Sequence, residues 1–306
     1  MANSHPNITA VIVTYHPDFA RLAAMLRALL PQVGAAVIVD NGSVHDMALW
    51  ARENFAAVHV IALGENKGIA AAQNTGIAWA KEGQSDAALL LDQDSCPAPD
   101  MVEKLWAAHK NLQRMGGRVA ALGPQIYDEN RGGAMTFYKT QGFSQRVQPC
   151  SGDETIAVDS IIASGCLIPV AALAAVGEMR ADFFIDYVDI EWCLRAQQFG
   201  YKIFAVCGAK LFHSLGEKTR QFMERKIPMH NPARYYYMAR NRTYMYFHMR
   251  LPAGWKILDA LRLGRKYIYY SLITPSRLAN WRCMTCGIWD GLRGRLGPIP
   301  AALSAS

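Results

Sequence analysis

Apolar and polar positions follow two alternating rhythms through the first part of the chain. Residues 8–15 (ITAVIVTY) form an unbroken, β-branched apolar run, which predicts a buried strand. Asp18 then stands as an N-cap, and Phe19, Leu22, Ala23, Leu26 and Leu29/Leu30 recur at helical spacing. The alternation continues with strands over 36–39, 58–63 and 87–91 and helices over 69–81 and 101–115, Pro99 marking the last helix start. Beyond Val119 glycine, glutamine and aromatic residues are interspersed. There the pattern predicts a strand or strand pair over 156–168, interrupted at Ser164-Gly165, a helix over 189–199 closed by Gly200, and a short strand over 201–206. Strand–helix alternation of this kind implies right-handed βαβ units and a parallel sheet covered on both faces.

In such sheets ligands bind beyond the carboxyl ends of the strands. Four polar clusters fall there: Thr14-Tyr15, Asp40 to Ser43, Asn66 to Gly68, and Asp92-Gln93-Asp94. Asp, Asn and Gly also favour ordinary turns, but four strand ends carrying them together point to one crevice. The apolar stretch 161–177 is interrupted by Ser164, Gly165 and Pro169 and reads as a strand followed by a helix, not a membrane span.

Composition narrows the classes. The chain has 306 residues, 51% hydrophobic and 19% charged, which excludes a disordered chain or a small disulfide scaffold. Its net charge of +7 conceals an asymmetry: from Ala209 onward 17 Lys and Arg stand against 4 Asp and Glu, a net of +13, so residues 1–208 carry −6. The seven cysteines are odd in number and scattered, which argues against a disulfide framework and for a reducing compartment. The N-terminal stretch has no basic region ahead of an apolar one, so the expected location is cytoplasmic. The lone CxxC, Cys283 and Cys286, lacks a second pair and is read as structural.

The chemistry centres on carboxylates. Asp92 and Asp94, one residue apart at a strand end, suit a hard cation such as Mg²⁺ or Mn²⁺ and the phosphates it carries. Neither GxxxxGK[ST] nor GxGxxG is present, so a nucleotide needs another cradle. Asp40 offers an acceptor for a base N–H, and the loop at Asn66 an approach to ribose or phosphate. His213 follows a strand-like run and is either a further ligand for that cation or a hydrogen-bonded structural histidine. The segment 183–195 (FFIDYVDIEWCLR) holds Asp186, Asp189 and Glu191. Glu191 and Arg195 are spaced for a helix-surface pair, and Asp189 is either an N-cap or a general base shielded by Phe184, Tyr187 and Trp192.

The basic final third opens with RYYYMARNRTYMYFHMR at 234–250. Nucleic-acid stacking, an anionic membrane surface and a Tyr/Met core with Arg outside compete to explain it. Tyr237, Tyr244 and Phe247 fit a helical stripe, which favours core combined with membrane surface over nucleic acid. Further on, Trp255, Ile257, Leu258, Leu261 and Trp281 mix with Arg262, Arg265, Lys266, Arg277 and Arg282, which suits peripheral membrane attachment.

Taken in order, VIVTYH, VDNGS, ENKGIAAAQNTG, LLLDQDS, ASGCLIP, FFIDYVDIEWCLR and FHSLGE resemble the inverting family-2 glycosyltransferases of GT-A fold, most closely bacterial dTDP-L-rhamnose-dependent rhamnosyltransferases. The resemblance spans residues 7 to about 250. It implies an α/β fold in which a Rossmann-like nucleotide-binding sheet joins a mixed-sheet acceptor half and a helical basic C-terminal region. The expected division is a GT-A domain over 1–225, split into a nucleotide-sugar half (1–118) and an acceptor half (119–225), followed by the region 226–306. By the same resemblance Thr14, Tyr15, Asp40, Asn41, Asn66, Gly68, Asn74, Asp92 and Gln93 surround the nucleotide sugar, Asp94 and His213 hold the metal, and Ser164, Gly165 and Trp192 lie on the acceptor side. Asp189 becomes the catalytic base. The family's Glu-Asp pair is here Val188-Asp189, which leaves Asp186 as a rival. The implied partners are a nucleotide-sugar donor, a glycan or lipid-diphosphate-linked acceptor and an anionic membrane. Alternatives are transfer of another sugar, such as galactofuranose from a UDP donor, and a non-catalytic nucleotide-sugar-binding scaffold. A nucleotidylyltransferase is disfavoured because Tyr15-His16-Pro17-Asp18 stands where its Gly-rich basic loop belongs.

Overall fold

The computed structural model describes residues 6–128, 133–213, 219–222, 225–228, 230–274 and 276–304, with the side chains of 213, 219–222, 225–228 and 304 outside that description. The first part alternates β1 (Ile8–Thr14), α1 (Phe19–Leu29), β2 (Ala35–Asp40), α2 (Met47–Asn54), β3 (His59–Ala62), α3 (Ile69–Glu82), β4 (Ala87–Asp92), the short β5 (Ser95–Pro97) and α4 (Met101–Arg114). Then come β6 (Val119–Asp128), β7 (Gly133–Ala134), the β8–β9 hairpin (Phe137–Gln141, Ser144–Gln148), β10 (Thr155–Val158), β11 (Cys166–Pro169), α5 (Val170–Val176), α6 (Val188–Gln198) and β12 (Lys202–His213). The strand pair β13–β14 (Thr219–Phe222, Arg225–Pro228) spans the expected boundary at 225. Helices α7 (Pro232–His248), α8 (Ala253–Leu272), α9 (Arg277–Leu292) and α10 (Ala301–Ser304) follow.

Ten strands form one mixed sheet in the order β10-β12-β6-β11-β4-β1-β2-β3, with β5 on β12 and β7 on β6. The strands β4-β1-β2-β3 are parallel, as the alternation predicts. The predicted segment 156–168 resolves into two strands that are not neighbours: β10 lies at the edge on β12, whereas β11 runs antiparallel between β4 and β6. The two short runs around 201–212 are one strand, β12, bulged between Val206 and Lys210.

Successive strand residues serve opposite faces. Ile8, Ala10 and Ile12 pack with Leu22, Leu26 and Leu29 of α1 and Leu105 of α4. Val11 and Val13 pack with Ile77 of α3, Leu173 of α5 and Trp192 of α6. Asp18 caps α1 as predicted, accepting from the Ala20 and Arg21 amides.

Three expectations change. Cys150 and Cys207, 57 residues apart, are disulfide-bonded, tying the approach to β10 onto the β12 bulge; nothing in their spacing marks the pair. Glu191 and Arg195 do pair, at 2.8 Å, but Glu191 is fully buried, and Arg195 also donates to the Val176 and Glu178 carbonyls, so the pair locks α6 to the end of α5. On α7, Phe247 is exposed, whereas Arg240, Asn241 and Arg242 lie inside. Cys283 is buried in α9 and remains a thiol, as does Cys286.

Candidate active site

Parallel register brings the strand ends level. Thr14 faces Asp40 across β1 and β2, and Val13 faces Asp92 across β1 and β4. Thr14 Oγ1 donates to Asp40 Oδ1 at 2.9 Å, while the Ser43 amide donates to Oδ2 at 2.9 Å and the Ser43 hydroxyl to Oδ1. Asp40 is thus buried and preorganised by three donors. The next loop is tied to this one: Asn41 Nδ2 donates to Asn66 Oδ1 at 3.0 Å, and Asn41 Oδ1 accepts the Lys67 amide at 2.9 Å. Gly42 permits that approach, with φ of +90°; a Cβ there would meet the Glu65 backbone at 2.6 Å.

Gln93 folds back on β1, its Oε1 accepting the Tyr15 amide at 2.8 Å and its Nε2 donating to the Tyr15 carbonyl at 3.3 Å. Tyr15 is left half-exposed beside the crevice. Asp92 ends β4, and Asp94 lies in the turn before β5; both are partly exposed. The β5–β12 register sets the His213 backbone opposite Ser95, one residue from Asp94. The His213 side chain lies outside the described residues. Among the described residues no group of three metal-binding side chains is gathered.

Asn74 points elsewhere: both ends of its amide engage the Met179 backbone, at 2.8 and 2.9 Å, which fastens α3 to the chain ahead of α6. Ser164 is buried with its hydroxyl hydrogen-bonded to that of Ser95. Trp192 is 1% exposed and donates to the Gly177 carbonyl at 2.8 Å. Ser164, Gly165 and Trp192 therefore form the wall behind the site, with no side chain open to an incoming acceptor. Cys166 is also buried, which raises its thiol pKa well above the usual value and leaves no thiolate nucleophile.

Asp189 lies in the first turn of α6. The N-cap position is Tyr187, so Asp189 is not the cap. Its carboxylate accepts from its neighbour's amide at Ile190 (2.8 Å) and from the Ala163 amide (3.3 Å). Burial pushes its pKa up from 3.8 to about 6, despite those two hydrogen bonds; the nearby charges of Asp186 and Asp92 push the same way. A carboxylate tuned toward neutrality is suited to take a proton at physiological pH. Asp186 differs: it is held by Arg234 at 3.2 Å, with Nε reaching both carboxylate oxygens.

The segment leading into Asp189 is contorted. Phe184, Asp186 and Tyr187 all have φ near +65°, a conformation that costs a non-glycine residue roughly 1–3 kcal/mol. It touches the donor-side loop, since a Cβ on Gly68 (φ +87°) would meet the Phe184 carbonyl at 2.6 Å. Sequence reasoning missed the groups that hold this segment, Asn241, Arg240 and Arg234, because they lie more than 45 residues downstream in a stretch whose only visible signal is interleaved Tyr and Arg.

Comparison with known proteins fits this geometry. The Glycosyl transferase family 2 profile matches residues 9–150. The dTDP-rhamnosyl transferase RfbF of Shigella flexneri is 32% identical over 305 residues, covering 95% of this chain and 97% of that protein. The low-salt glycan biosynthesis hexosyltransferase Agl10 of Haloferax volcanii is 24% identical over 197 residues, 63% of this chain and 62% of that one. Among solved structures, GalNAc-T7 with UDP, GalNAc and Mn²⁺ superposes with a TM-score of 0.60 at 13% identity, covering 95% of this chain and 57% of that one. TarS 1–349 of S. aureus in complex with UDP-GlcNAc gives 0.57 at 14% identity, covering 98% and 83%. At those identities the structural likeness shows a shared fold.

Proposed function

The chain belongs to glycosyl transferase family 2, and from that premise we propose that it transfers L-rhamnose from dTDP-L-rhamnose to a lipid-linked or growing surface-polysaccharide acceptor at the inner face of the cytoplasmic membrane. The observation that carries the rhamnose assignment is the 32% identity to a dTDP-rhamnosyl transferase, which runs through the C-terminal helices and far past the family profile.

The chemistry is a single in-line displacement. Asp189 accepts the proton of an acceptor hydroxyl as that oxygen bonds to the anomeric carbon. The bond from that carbon to the diphosphate oxygen breaks, dTDP departs, and configuration inverts. Asp40, held by Thr14 and Ser43, serves the base and ribose end of the donor, while the joined loops at Asn41 and Asn66 shape its diphosphate side. Asp94 and His213 would supply an oxygen and an imidazole donor to a divalent ion, donor types suited to Mg²⁺ or Mn²⁺. A divalent ion there would offset charge on the departing diphosphate.

The C-terminal helices supply the membrane-facing surface. Among the described residues no helix is long and apolar enough to cross a membrane. On α8, Ile257, Leu261, Ile268 and Leu272 are exposed along one helical face, and on α9 Leu278, Trp281 and Trp289 are exposed. Exposed Arg265 on α8 and Arg277 and Arg282 on α9 lie beside them, an arrangement that fits shallow insertion beside anionic headgroups. Flotation with anionic vesicles is expected to lift the protein; the doubly substituted Leu261→Ser, Leu272→Ser chain should stay at the bottom.

The test of donor identity is calorimetric titration with dTDP-L-rhamnose, dTDP, UDP-galactofuranose, UDP-glucose and GDP-mannose, each with and without Mg²⁺ or Mn²⁺. The proposal expects metal-dependent preference for dTDP-L-rhamnose. Preference for a UDP donor would replace rhamnose by another sugar, and no donor binding would remove the crevice from the account.

A further inference from the structure

The backbone entering Asp189 is not self-supporting. Phe184, Asp186 and Tyr187 take left-handed φ of 65°, 64° and 65°, none is glycine, and Tyr187 makes no side-chain cap for α6. Its support comes from α7. Asn241 Nδ2 lies 3.0 Å from the Phe183 carbonyl, 2.9 Å from that of Ile185 and 2.8 Å from that of Asp186. Asn241 Oδ1 accepts Arg240 Nε at 2.9 Å, which fixes the sense of the amide: oxygen toward the guanidinium, NH₂ into the loop. Arg240 also donates to the carbonyls of Phe183 (2.9 Å), Asp182 (3.2 Å) and Gly297. Both side chains are 0% exposed. At the outer edge Arg234 holds the Asp186 carboxylate.

One amide that gathers three carbonyls of a strained loop does more than fill a core. We propose that Asn241, oriented by Arg240, is a positioning residue for the reaction: it fixes the 183–187 turn and so sets the depth and aim of the Asp189 carboxylate toward the acceptor hydroxyl. This rests on the reading of Asp189 as the base. Asn241 touches neither substrate nor reacting atoms, and acts only through the backbone it holds. The groups that face Asp189 are Asp186 and Asp92 together with the thiols of Cys166 and Cys193. A change at Asn241 reaches Asp186 through its backbone, and Asn241→Asp adds a carboxylate that by itself would raise the pKa of the base, so only a downward move of the acidic limb reports exposure of Asp189.

The decisive variant is Asn241→Asp, which keeps the size and replaces the NH₂ donors by a carboxylate facing carbonyl oxygens. Misplacement of a reacting group by about 1 Å costs on the order of 10²-fold, and a fall of that size in kcat is expected. dTDP binding by calorimetry should fall far less than kcat, because Thr14, Asp40 and Asn41 are held by bonds outside this turn even though Phe184 abuts Gly68, and the acidic limb of kcat/KM should move toward the ordinary carboxylate range as water reaches Asp189. Arg234→Gln, at the outer edge of the same turn, is expected to lower kcat about 3- to 10-fold, and it stands in if Asn241→Asp does not fold. Wild-type kcat and an unmoved limb in the folded variants would overturn the proposal. So would loss of dTDP binding in step with activity, which marks a purely structural residue. Asp189→Asn measured alongside separates the two claims: transfer retained there refutes the base, whereas transfer lost there with Asn241→Asp like wild type refutes only the positioning role.

Discussion

The two halves of the site are built by opposite means. On the donor side, each polar group sits at the end of the strand that carries it: Thr14 on β1, Asp40 on β2, Asp92 on β4, levelled by parallel register. On the proposed acceptor side, Asp189 opens α6 behind a loop that is held by a helix some 55 residues further on, through Asn241 and Arg240. The crevice proposed for the donor is a consequence of sheet topology; the placement of the proposed base is a consequence of tertiary packing. The difference also corrects an intuition about charge. Arg240 and Arg242 belong to the most basic part of the chain, yet both are buried, Arg242 on Asp259 at 2.7 Å. Part of the positive excess is therefore internal scaffolding, while Arg265, Lys266, Arg277 and Arg282 on α8 and α9 are among the exposed share.

Several experiments would break or sharpen that contrast. The largest effect is expected from chelation. If Asp94 and His213 hold a divalent ion on the donor side, EDTA should lower transfer by about 10²–10³-fold, with recovery on adding Mg²⁺ or Mn²⁺; full activity in EDTA would remove the ion from the account. Gly68→Ala probes the seam between the halves. Its Cβ would collide with the Phe184 carbonyl at a positive φ, so stability should fall by roughly 1–3 kcal/mol and transfer and donor affinity should fall together. Thermal melting and calorimetry would show it, and loss of one without the other would uncouple the seam.

A comparable effect of opposite sign is expected for stability at Asp189. The folded state raises this carboxyl from 3.8 to about 6, so it binds its proton more tightly than the unfolded chain does. The stability it contributes is complete below pH ~4 and is lost as pH rises through about 6. Asp189→Asn should therefore stabilise the protein at pH 8 by roughly 1–3 kcal/mol and leave it unchanged at pH 4, as followed by urea unfolding at both pH values. The smallest effect belongs to Asn41→Ala. It removes the tie to Asn66 and the Lys67 amide, which is expected to cost about 1 kcal/mol, or about fivefold in donor affinity, with kcat unchanged at saturation.

What was legible in the sequence follows the same division. The runs 8–15 and 87–91 and the polar residues that end them are local in sequence, so strand, end and candidate chemistry are read together. The helix over 189–199 and the cap at Asp18 are legible for the same reason. The burial of Ser164 and Trp192, the spending of Asn74 on Met179, and the Cys150–Cys207 bond are not, because each depends on which distant segment packs alongside. The stripe of Tyr237, Tyr244 and Phe247 misleads at Phe247, which lies in the last turn of α7 beyond its enclosed stretch.

The account stands or falls on Asp189 as the base, and one paired measurement tests it: transfer to acceptor by Asp189→Asn and by Asp186→Asn, with dTDP binding measured on the same samples. Asp189→Asn is expected to bind dTDP within about twofold of wild type but to lose about 10²–10⁴-fold in transfer, while Asp186→Asn stays within about tenfold because it loses a pairing with Arg234 and one nearby charge on the base. Near-wild-type transfer by Asp189→Asn, with Asp186→Asn inactive, would contradict it and move the base three residues upstream of the buried carboxylate.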